Sequence, residues 1–235
     1  MKKNYNASES FITAALLTFS GGFQDAYTYF SRGGVFANAQ TGNVVLMSGY
    51  FFRGDMWSAA RYIIPLFAFV SGIITAESIH RLFRSRPSFH WRQLIAAFEI
   101  TILFIVGTIP ENLNMAANCL VSFVCAMQIQ SFQKIGDNSY SSTMCIGNLR
   151  SGTNALCSFI YSGSKKDLKT ASIYFGVLFV FFLGAGCGYI ITSMAGVTAI
   201  RFSCLPITAA LILMFFNEGS VAAEKKFIGL IKKRI

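Results

Sequence analysis

The chain has 235 residues, of which 54% are hydrophobic and only 13% charged, with a mean hydropathy of +0.52 and a net charge of +10. A soluble domain carries about 25% charged residues, so the composition excludes an ordinary soluble protein and predicts an integral membrane protein. The positive charge does not indicate nucleic-acid binding, because the basic residues fall between apolar runs, where membrane topology explains them.

The reactive residues form no pattern that is typical of an enzyme. The six cysteines lie in apolar segments without a close Cys-x-x-Cys pair, and there are only two histidines. The spacing of a zinc site is therefore missing. No nucleophile–base pair, metal cluster or phosphate-binding loop can be assembled, so we expect no cofactor, no bound metal and no catalytic activity.

The first half of the chain contains three long apolar runs and one short element. The runs cover about residues 10–30, 57–79 and 94–109, and the short element lies at 38–52. A basic loop from Arg81 to Arg92 separates the second run from the third. In the first run, small and polar residues share one face of the predicted helix: Thr18, Gly21, Gly22, Asp25 and Thr28.

The second half repeats this order, with runs at about 115–132, 171–193 and 202–216. Its short element contains Ile146-Gly147-Asn148, which lies 105 residues after Thr41-Gly42-Asn43. Gln24 and Gln128 precede the two short elements at nearly the same offset. The shared order predicts an internal duplication, with a first membrane repeat at 1–110, a second at 111–218 and a basic tail at 219–235.

Each short element is too short and too polar for a simple membrane helix, which needs about 20 mostly apolar residues. The first could still be an ordinary, somewhat polar membrane helix. The alternative is a re-entrant or broken helix, whose irregular backbone is tolerated at membrane depth only where it is buried in protein or lines a wet cavity.

The distribution of basic residues favours the re-entrant interpretation. With six spans and a cytoplasmic amino terminus, 16 of the 20 Lys and Arg residues fall on the cytoplasmic side, and the four left outside are Arg32, Arg53, Arg61 and Arg201. With eight spans the basic loop moves outside and Arg150 enters a span. Because cytoplasmic loops carry an excess of Lys and Arg, we predict about six spans plus two short elements, inverted repeats, and both termini in the cytoplasm.

Two short elements that enter from opposite faces would meet near the membrane midplane. Discontinuous helices in inverted repeats hold solutes or ions there in many transporters, because their free N–H groups and positive dipole ends converge. We expect Gly42 and Gly147 to adopt backbone conformations that a Cβ would strain. Asn43 and Asn148 could cap the helix starts or face the solute. The predicted substrate-binding residues are Gln24, Asp25, Asn38, Gln40, Thr41, Gly42, Asn43, Gln128, Gly147 and Asn148.

Four charged residues near or within the predicted spans need separate interpretation. Asp25 either faces a cavity or partner, where it could couple transport to protons or sodium, or lies near the membrane edge. Glu77 and Glu99 are placed at the cytoplasmic edge, where Arg81 or Arg92 could pair with them. We assign Arg150 to the cytoplasmic positive charge.

Two segments of the first half resemble the signature of the YoaK-like family of bacterial membrane proteins, a domain of unknown function. They are Gly22-Phe23-Gln24-Asp25-Ala26 and Ala39-Gln40-Thr41-Gly42-Asn43-Val44, with Gly34 between them. The likeness covers nearly the whole chain and includes Met127-Gln128 and Gly147, although Ile146 stands where family members more often have Thr. The resemblance implies a bacterial inner-membrane protein and brings no established substrate or reaction.

The sequence therefore predicts an all-α, polytopic membrane protein that moves a small solute or ion as a carrier or channel. The alternative is a non-transporting membrane scaffold or accessory subunit. The expected partners are the lipid bilayer and an unknown solute or ion, without nucleic acid; a homo-oligomer stays open. Carrier or channel action, the solute and the coupling ion are not fixed by the sequence.

The charge distribution predicts that both termini and the loop from Arg81 to Arg92 are cytoplasmic. A cysteine introduced by Ser85→Cys should stay unlabelled by an impermeant reagent in intact cells and become labelled after permeabilisation. Labelling from outside intact cells would favour the eight-span arrangement instead.

Overall fold

The computed structural model describes residues 7–83 and 90–216. Within these residues it is all-α, with seven α-helices: α1 (Phe11–Ser31), α2 (Gln40–Phe52), α3 (Met56–Phe83), α4 (Trp91–Val106), α5 (Asn114–Ser131), α6 (Cys145–Ser162) and α7 (Lys165–Ala195). A further helical segment covers residues 204–216. Short 3-10 helices lie at Ala7–Glu9, Glu111–Leu113 and Gly196–Ser203. A two-residue hairpin, β1 (Lys134–Ile135) and β2 (Asn138–Ser139), precedes α6.

The helices follow the predicted apolar runs to within a few residues at most ends. α1 begins where Ser10 accepts a hydrogen bond from the backbone N–H of Thr13 at 3.1 Å, a normal N-cap. The two short elements are both helical, and α6 is longer than α2. The prediction for Ser85 and that for the basic tail fall outside the described residues.

Three helical stretches are long and apolar enough to cross a membrane: 56–83, 111–131 and 165–216. Large apolar side chains cover their outer surfaces; Phe67 on α3 and Phe182 on α7 are 66% and 68% exposed. Apolar surface of this extent indicates a lipid-facing exterior. The fold is therefore that of a helical membrane protein.

Helices from the two halves pack against each other through glycine. Gly184 of α7 lies directly against the backbone carbonyl of Phe19 on α1, and Gly22 of α1 lies against the carbonyl of Phe181 on α7. In the same way, Gly72 of α3 lies against the carbonyl of Phe123 on α5. Small residues allow membrane helices to approach this closely. The glycines of these helices are therefore part of packing surfaces.

The central core lies where α1, α4, α5 and the segment 204–216 meet. Leu17, Leu103, Val121 and Ile207 are all fully buried there and belong to one apolar cluster. The predicted polar face of α1 is also buried, so that α1 is enclosed by protein on both its apolar and its polar side. α1 is therefore buried over most of its length, with exposed side chains mainly near its two ends.

Arg32, at the end of α1, is a buried arginine that the sequence analysis counted only as an external charge. It is 1% exposed, and its guanidinium donates to five oxygen atoms. These are the hydroxyl of Tyr27, the side-chain oxygen of Asn114, and the backbone carbonyls of Val106, Ile109 and Pro110. All five N–H donors are used. Arg32 thus satisfies the backbone carbonyls at the carboxyl end of α4. It also holds in place the segment that connects the first half of the chain to the second.

The glycine contacts predict a sharp difference between two neighbouring positions on α7. A Cβ at Gly184 would collide with the backbone of Phe19, whereas a Cβ at Gly186 meets nothing within 4 Å. We expect Gly184→Ala to lower the free energy of unfolding by about 1–3 kcal/mol or more, because α1 and α7 must separate.

Gly186→Ala is the matched control and should be neutral or stabilising by up to about 1 kcal/mol, since alanine favours the helix. Thermal unfolding of the two purified variants in detergent measures the difference. Equal midpoints for both variants would contradict the close α1–α7 contact.

Candidate functional site

The chain turns back into the protein after α1. Gly33 and Gly34 have φ of +84° and +75°, which L side chains rarely adopt. The turn lets Phe36 stack on Tyr29 of α1, with ring centroids 4.5 Å apart. α2 then begins beside the buried middle of α1 and leads to α3, where Arg61 donates a hydrogen bond to the carbonyl of Gly33 at 2.6 Å. The start of α3 therefore lies next to the end of α1.

Polar residues of α1 satisfy the backbone of this inward loop. The Oδ1 atom of Asp25 accepts the N–H of Asn38 at 2.7 Å, and the hydroxyl of Thr28 accepts the N–H of Ala37 at 3.1 Å. Asp25 is only 6% exposed. The structure thus places Asp25 in the protein interior, while its depth in the membrane stays a prediction.

Asn43 and Asn148 fasten the two loops in the same way. Asn43 accepts the backbone N–H of Phe36 at 2.9 Å and donates to the carbonyl of the same residue at 2.7 Å. Asn148 makes the equivalent pair with Ser141, at 3.4 and 2.6 Å. Neither side chain caps a helix start, because the N-cap residues are Ala39 and Met144. Each asparagine closes the loop that precedes its helix.

The starts of α2 and α6 face one cavity of about 880 Å³. Its polar lining comes from Asp25, Asn38, Gln40, Thr41 and Thr143, and its aromatic lining comes from Tyr29, Phe30, Phe36, Phe69 and Phe181. Neither helix start is capped by a side chain. Uncapped N–H groups carry positive partial charge. The cavity therefore combines two positive helix ends, one carboxylate and a largely apolar wall.

The cavity brings together about half of the predicted site residues. Asp25, Asn38, Gln40, Thr41 and Gly147 line it. Gln24, Gln128, Asn43 and Asn148 are buried beside it and serve other contacts. Thr143 was missed by the sequence analysis; its signal was its position, 105 residues after Asn38.

The expectation of strained glycines at the helix starts is wrong. Gly42 and Gly147 have ordinary negative φ, because both lie inside the first turn of a helix. A Cβ at Gly42 would press against the ring of Phe36 at 3.0 Å, and a Cβ at Gly147 would meet nothing within 4 Å. Gly42 thus makes room for the aromatic stack, and Gly147 leaves the cavity wall open.

The expected pairing of Glu99 with Arg81 or Arg92 is also wrong, since these arginines bond Glu77 and Glu9 instead. Glu99 is fully buried, and its Oε1 atom accepts hydrogen bonds from the side-chain amides of Gln24 and Gln128, each at 3.1 Å. Gln128 in turn accepts from the hydroxyl of Ser142 at 3.1 Å, next to Thr143 in the cavity wall. A polar cluster with one glutamine from each half therefore adjoins the cavity.

The positions of the other two charged residues relative to the membrane stay predictions. Glu77 has the expected partner in Arg81, from which it accepts at 2.8 Å, and it also accepts from the side-chain amide of Gln130 at 3.2 Å. Arg150 is exposed and does not line the cavity. Among the described residues there is no group of three or more His, Cys, Asp or Glu side chains that could hold a metal ion.

Because Glu99 bonds two buried amides, truncation of its side chain should strongly lower the stability of the protein. Glu99→Ala would leave the amides of Gln24 and Gln128 without their shared acceptor, at roughly 1–3 kcal/mol for each unpaired donor. We expect a clear fall in the thermal midpoint of the purified protein in detergent.

Glu77→Ala is the matched control, because the same truncation at a solvent-screened ion pair should lower the thermal midpoint far less. If Glu99→Ala unfolded at the same temperature as Glu77→Ala, the two glutamines would not depend on Glu99.

Comparisons with known proteins give a family and no closer relative. Searches of the curated proteins and of the solved structures find no significant match. A family profile described as "Protein of unknown function (DUF1275)" matches residues 13–214, which is most of the chain and contains α2, α6 and the lining of the cavity. The chain belongs to this YoaK-like family.

Proposed function

We propose that the chain is a transporter or channel for a small solute or ion in the bacterial cytoplasmic membrane. The observation that carries the proposal is the cavity of about 880 Å³ at which the uncapped starts of α2 and α6 meet beside Asp25. Helix starts that converge at the interface between repeats hold solute or ion in many transporters.

A six-span arrangement with two re-entrant helices supports this function. α2 has 13 residues, or about 20 Å, and cannot cross an apolar layer of about 30 Å. It begins beside Asp25, and the hydrogen bond from Arg61 to Gly33 brings the start of α3 back to the end of α1. In this arrangement α2 enters and leaves on the same face, so that the two halves have opposite orientation.

Equivalent contacts in the two halves support the duplication. The bonds of Asn43 with Phe36 and of Asn148 with Ser141 span the same seven residues. The third helix of each half packs against the first helix of the other half, so that α7 lies on α1 and α3 lies on α5. The contacted residues, Phe19 and Phe123, are separated by the same number of positions in the sequence as Gln24 and Gln128. A twofold relation between inverted halves accounts for all three correspondences.

The alternative is a scaffold or accessory subunit whose polar motifs only hold helices together. Asn43 and Asn148 fit this alternative, because the side chain of each forms hydrogen bonds only with residues of its own half. Gln40 and Thr41 favour transport, because both line the cavity. Thermal stabilisation of the purified protein by a panel of metabolites and ions separates the two functions, because a ligand that binds only the folded state raises its stability.

Asp25 is the proposed coupling residue, as the only charged side chain that lines the cavity in the described part of the chain. We expect Asp25→Asn in proteoliposomes to abolish gradient-driven uptake of a solute from the panel while solute exchange continues. The isosteric amide keeps an acceptor for the N–H of Asn38 but cannot carry an exchangeable proton or bind a cation by charge.

Glu77→Gln, an exposed carboxylate of α3, is the control and should leave both activities unchanged. Unchanged gradient-driven uptake by Asp25→Asn would end the coupling role and leave Asp25 as a structural partner of the loop. If no solute of the panel raises the thermal stability of the purified protein, the result would favour the scaffold function.

A further inference from the structure

We infer that Glu99 is a proton-binding site, and that the proton flips the side-chain amide of Gln128 and so reverses the hydrogen bond that holds the loop before α6. Glu99 does not line the cavity at which α2 and α6 begin. The inference therefore goes beyond the proposed transport function and can be tested without a solute.

Glu99 is a buried carboxyl group whose hydrogen bonds come from neutral groups. It is fully buried, and its donors are the amides of Gln24 and Gln128. The arginines at the two ends of α4, Arg92 and Arg201, bond other groups. No Lys, Arg or His of the described residues forms an ion pair with Glu99. A buried charge without an opposite charge is costly, and a proton removes it.

The groups around Glu99 leave the proton without a competing partner. Cys125 of α5 and Cys204, just before the last helical segment, are the thiols that interact with it electrostatically. Asp25 of α1 acts on Cys125 from the side of the cavity, which it lines. Metal cations such as Ca²⁺ take oxygen ligands, whereas the two amides present N–H groups to the carboxylate. The site therefore suits a proton and not a metal ion.

The amide of Gln24 is fixed in its orientation. Its Nε2 atom donates to the hydroxyl of Ser20 at 2.9 Å as well as to Glu99, and Ser20 donates to the backbone carbonyl of Ser203 at 3.1 Å. A hydroxyl has one hydrogen, so Ser20 cannot also donate to a flipped Gln24. Gln24 thus remains a donor to Glu99 whether or not Glu99 carries a proton.

The amide of Gln128 can flip without losing a partner. Its Nε2 atom donates to both oxygens of Glu99, at 3.1 and 3.3 Å, and its Oε1 atom accepts from the hydroxyl of Ser142 at 3.1 Å. A hydroxyl accepts as well as donates. After a flip, Gln128 accepts from a protonated Glu99 and donates to Ser142.

The atoms of the proton-bound form can be stated one by one. The proton binds Oε2 of Glu99, while Oε1 continues to accept from Gln24. The new O–H donates to Oε1 of Gln128, and Nε2 of Gln128 donates to the oxygen of Ser142. The hydroxyl hydrogen of Ser142, which bonds Gln128 in the carboxylate form, then turns to another acceptor.

Ser142 passes the change to the start of α6. It is 1% exposed and precedes Thr143, which lines the cavity, and α6 begins at Cys145. The loop before α2 has no such group, because Ala37 stands 105 residues before Ser142. A proton on Glu99 therefore acts on the start of α6 and leaves the start of α2 unaffected.

Infrared difference spectra between acidic and alkaline pH test the proton site, because a protonated carboxyl has a carbonyl band that a carboxylate lacks. The unaltered full chain, purified in detergent, should show such a band. We expect Glu99→Gln to lose it, and Asp25→Asn and Glu77→Gln to retain it. A spectrum of Glu99→Gln identical to that of the unaltered chain would overturn the inference.

A second variant keeps the test decisive if Glu99→Gln does not fold. Glu99→Asp retains a carboxyl but draws it back from the amides of Gln24 and Gln128. The band should therefore shift in frequency, and an unshifted band would overturn the inference.

Cys145 reports on the start of α6, because it is partly buried and lines the cavity. The other cysteines that are not buried, Cys119, Cys157 and Cys187, are replaced by alanine. The alkylation rate of Cys145 is then measured across pH with and without Glu99→Gln, and the ratio of the two rates cancels the ionisation of the thiol. We expect the ratio to change where the infrared band appears. A constant ratio would contradict the link to α6.

Two serine variants test the path. Ser142 and Ser122 are both buried, but the hydroxyl of Ser142 bonds Gln128, whereas that of Ser122 has no partner. We expect Ser142→Ala to retain the infrared band and to lose the pH response of Cys145, and Ser122→Ala to retain both. A retained response in Ser142→Ala, or an equal loss in Ser122→Ala, would contradict the path. Because none of these measurements uses a solute, their failure leaves the proposed transport function standing.

Discussion

The architecture depends on one constraint: backbone that leaves a helix in the protein interior must find its hydrogen-bond partners there, because no water reaches it. The buried loop before α2 meets this requirement from two sides. Asp25 and Thr28 of α1 accept N–H groups of the loop, and Asn43 of α2 binds both the N–H and the carbonyl of Phe36. A polar face on α1 is thus a condition for the inward loop, and the cavity exists because the loop is held there.

A second shared element joins the halves at the centre. Glu99 gives both Gln24 and Gln128 a single acceptor, although the three residues come from three different helices. Separation of the halves would therefore deprive the buried amide of Gln128 of this acceptor. Together with the packing of α7 on α1 and of α3 on α5, this bond joins the two halves through buried contacts.

Much of the fold could be predicted because apolar runs and small-residue faces are local patterns, and the face of α1 with Asp25 and Thr28 is buried as expected. Partners from distant parts of the chain could not be predicted. Glu99 lies near a basic loop in sequence, yet its hydrogen bonds come from α1 and α5. Arg32 looked like a loop charge, and only the fold brings the end of α4 to it. The prediction of backbone strain at the glycines was also wrong. Gly147 has an ordinary φ, and a Cβ there would meet nothing within 4 Å.

The exchange of helices between the halves has a consequence for biosynthesis. α1 leaves the ribosome first, whereas α7, which lies against Gly22 and Phe19, is among the last helices to be made. At ordinary synthesis rates the partner follows on the order of ten seconds later. During that interval the glycine face of α1 lacks its helix partner, and only the neighbouring loop, through Asn38, bonds Asp25. The close α1–α7 contact is therefore completed only after nearly the whole protein has been made.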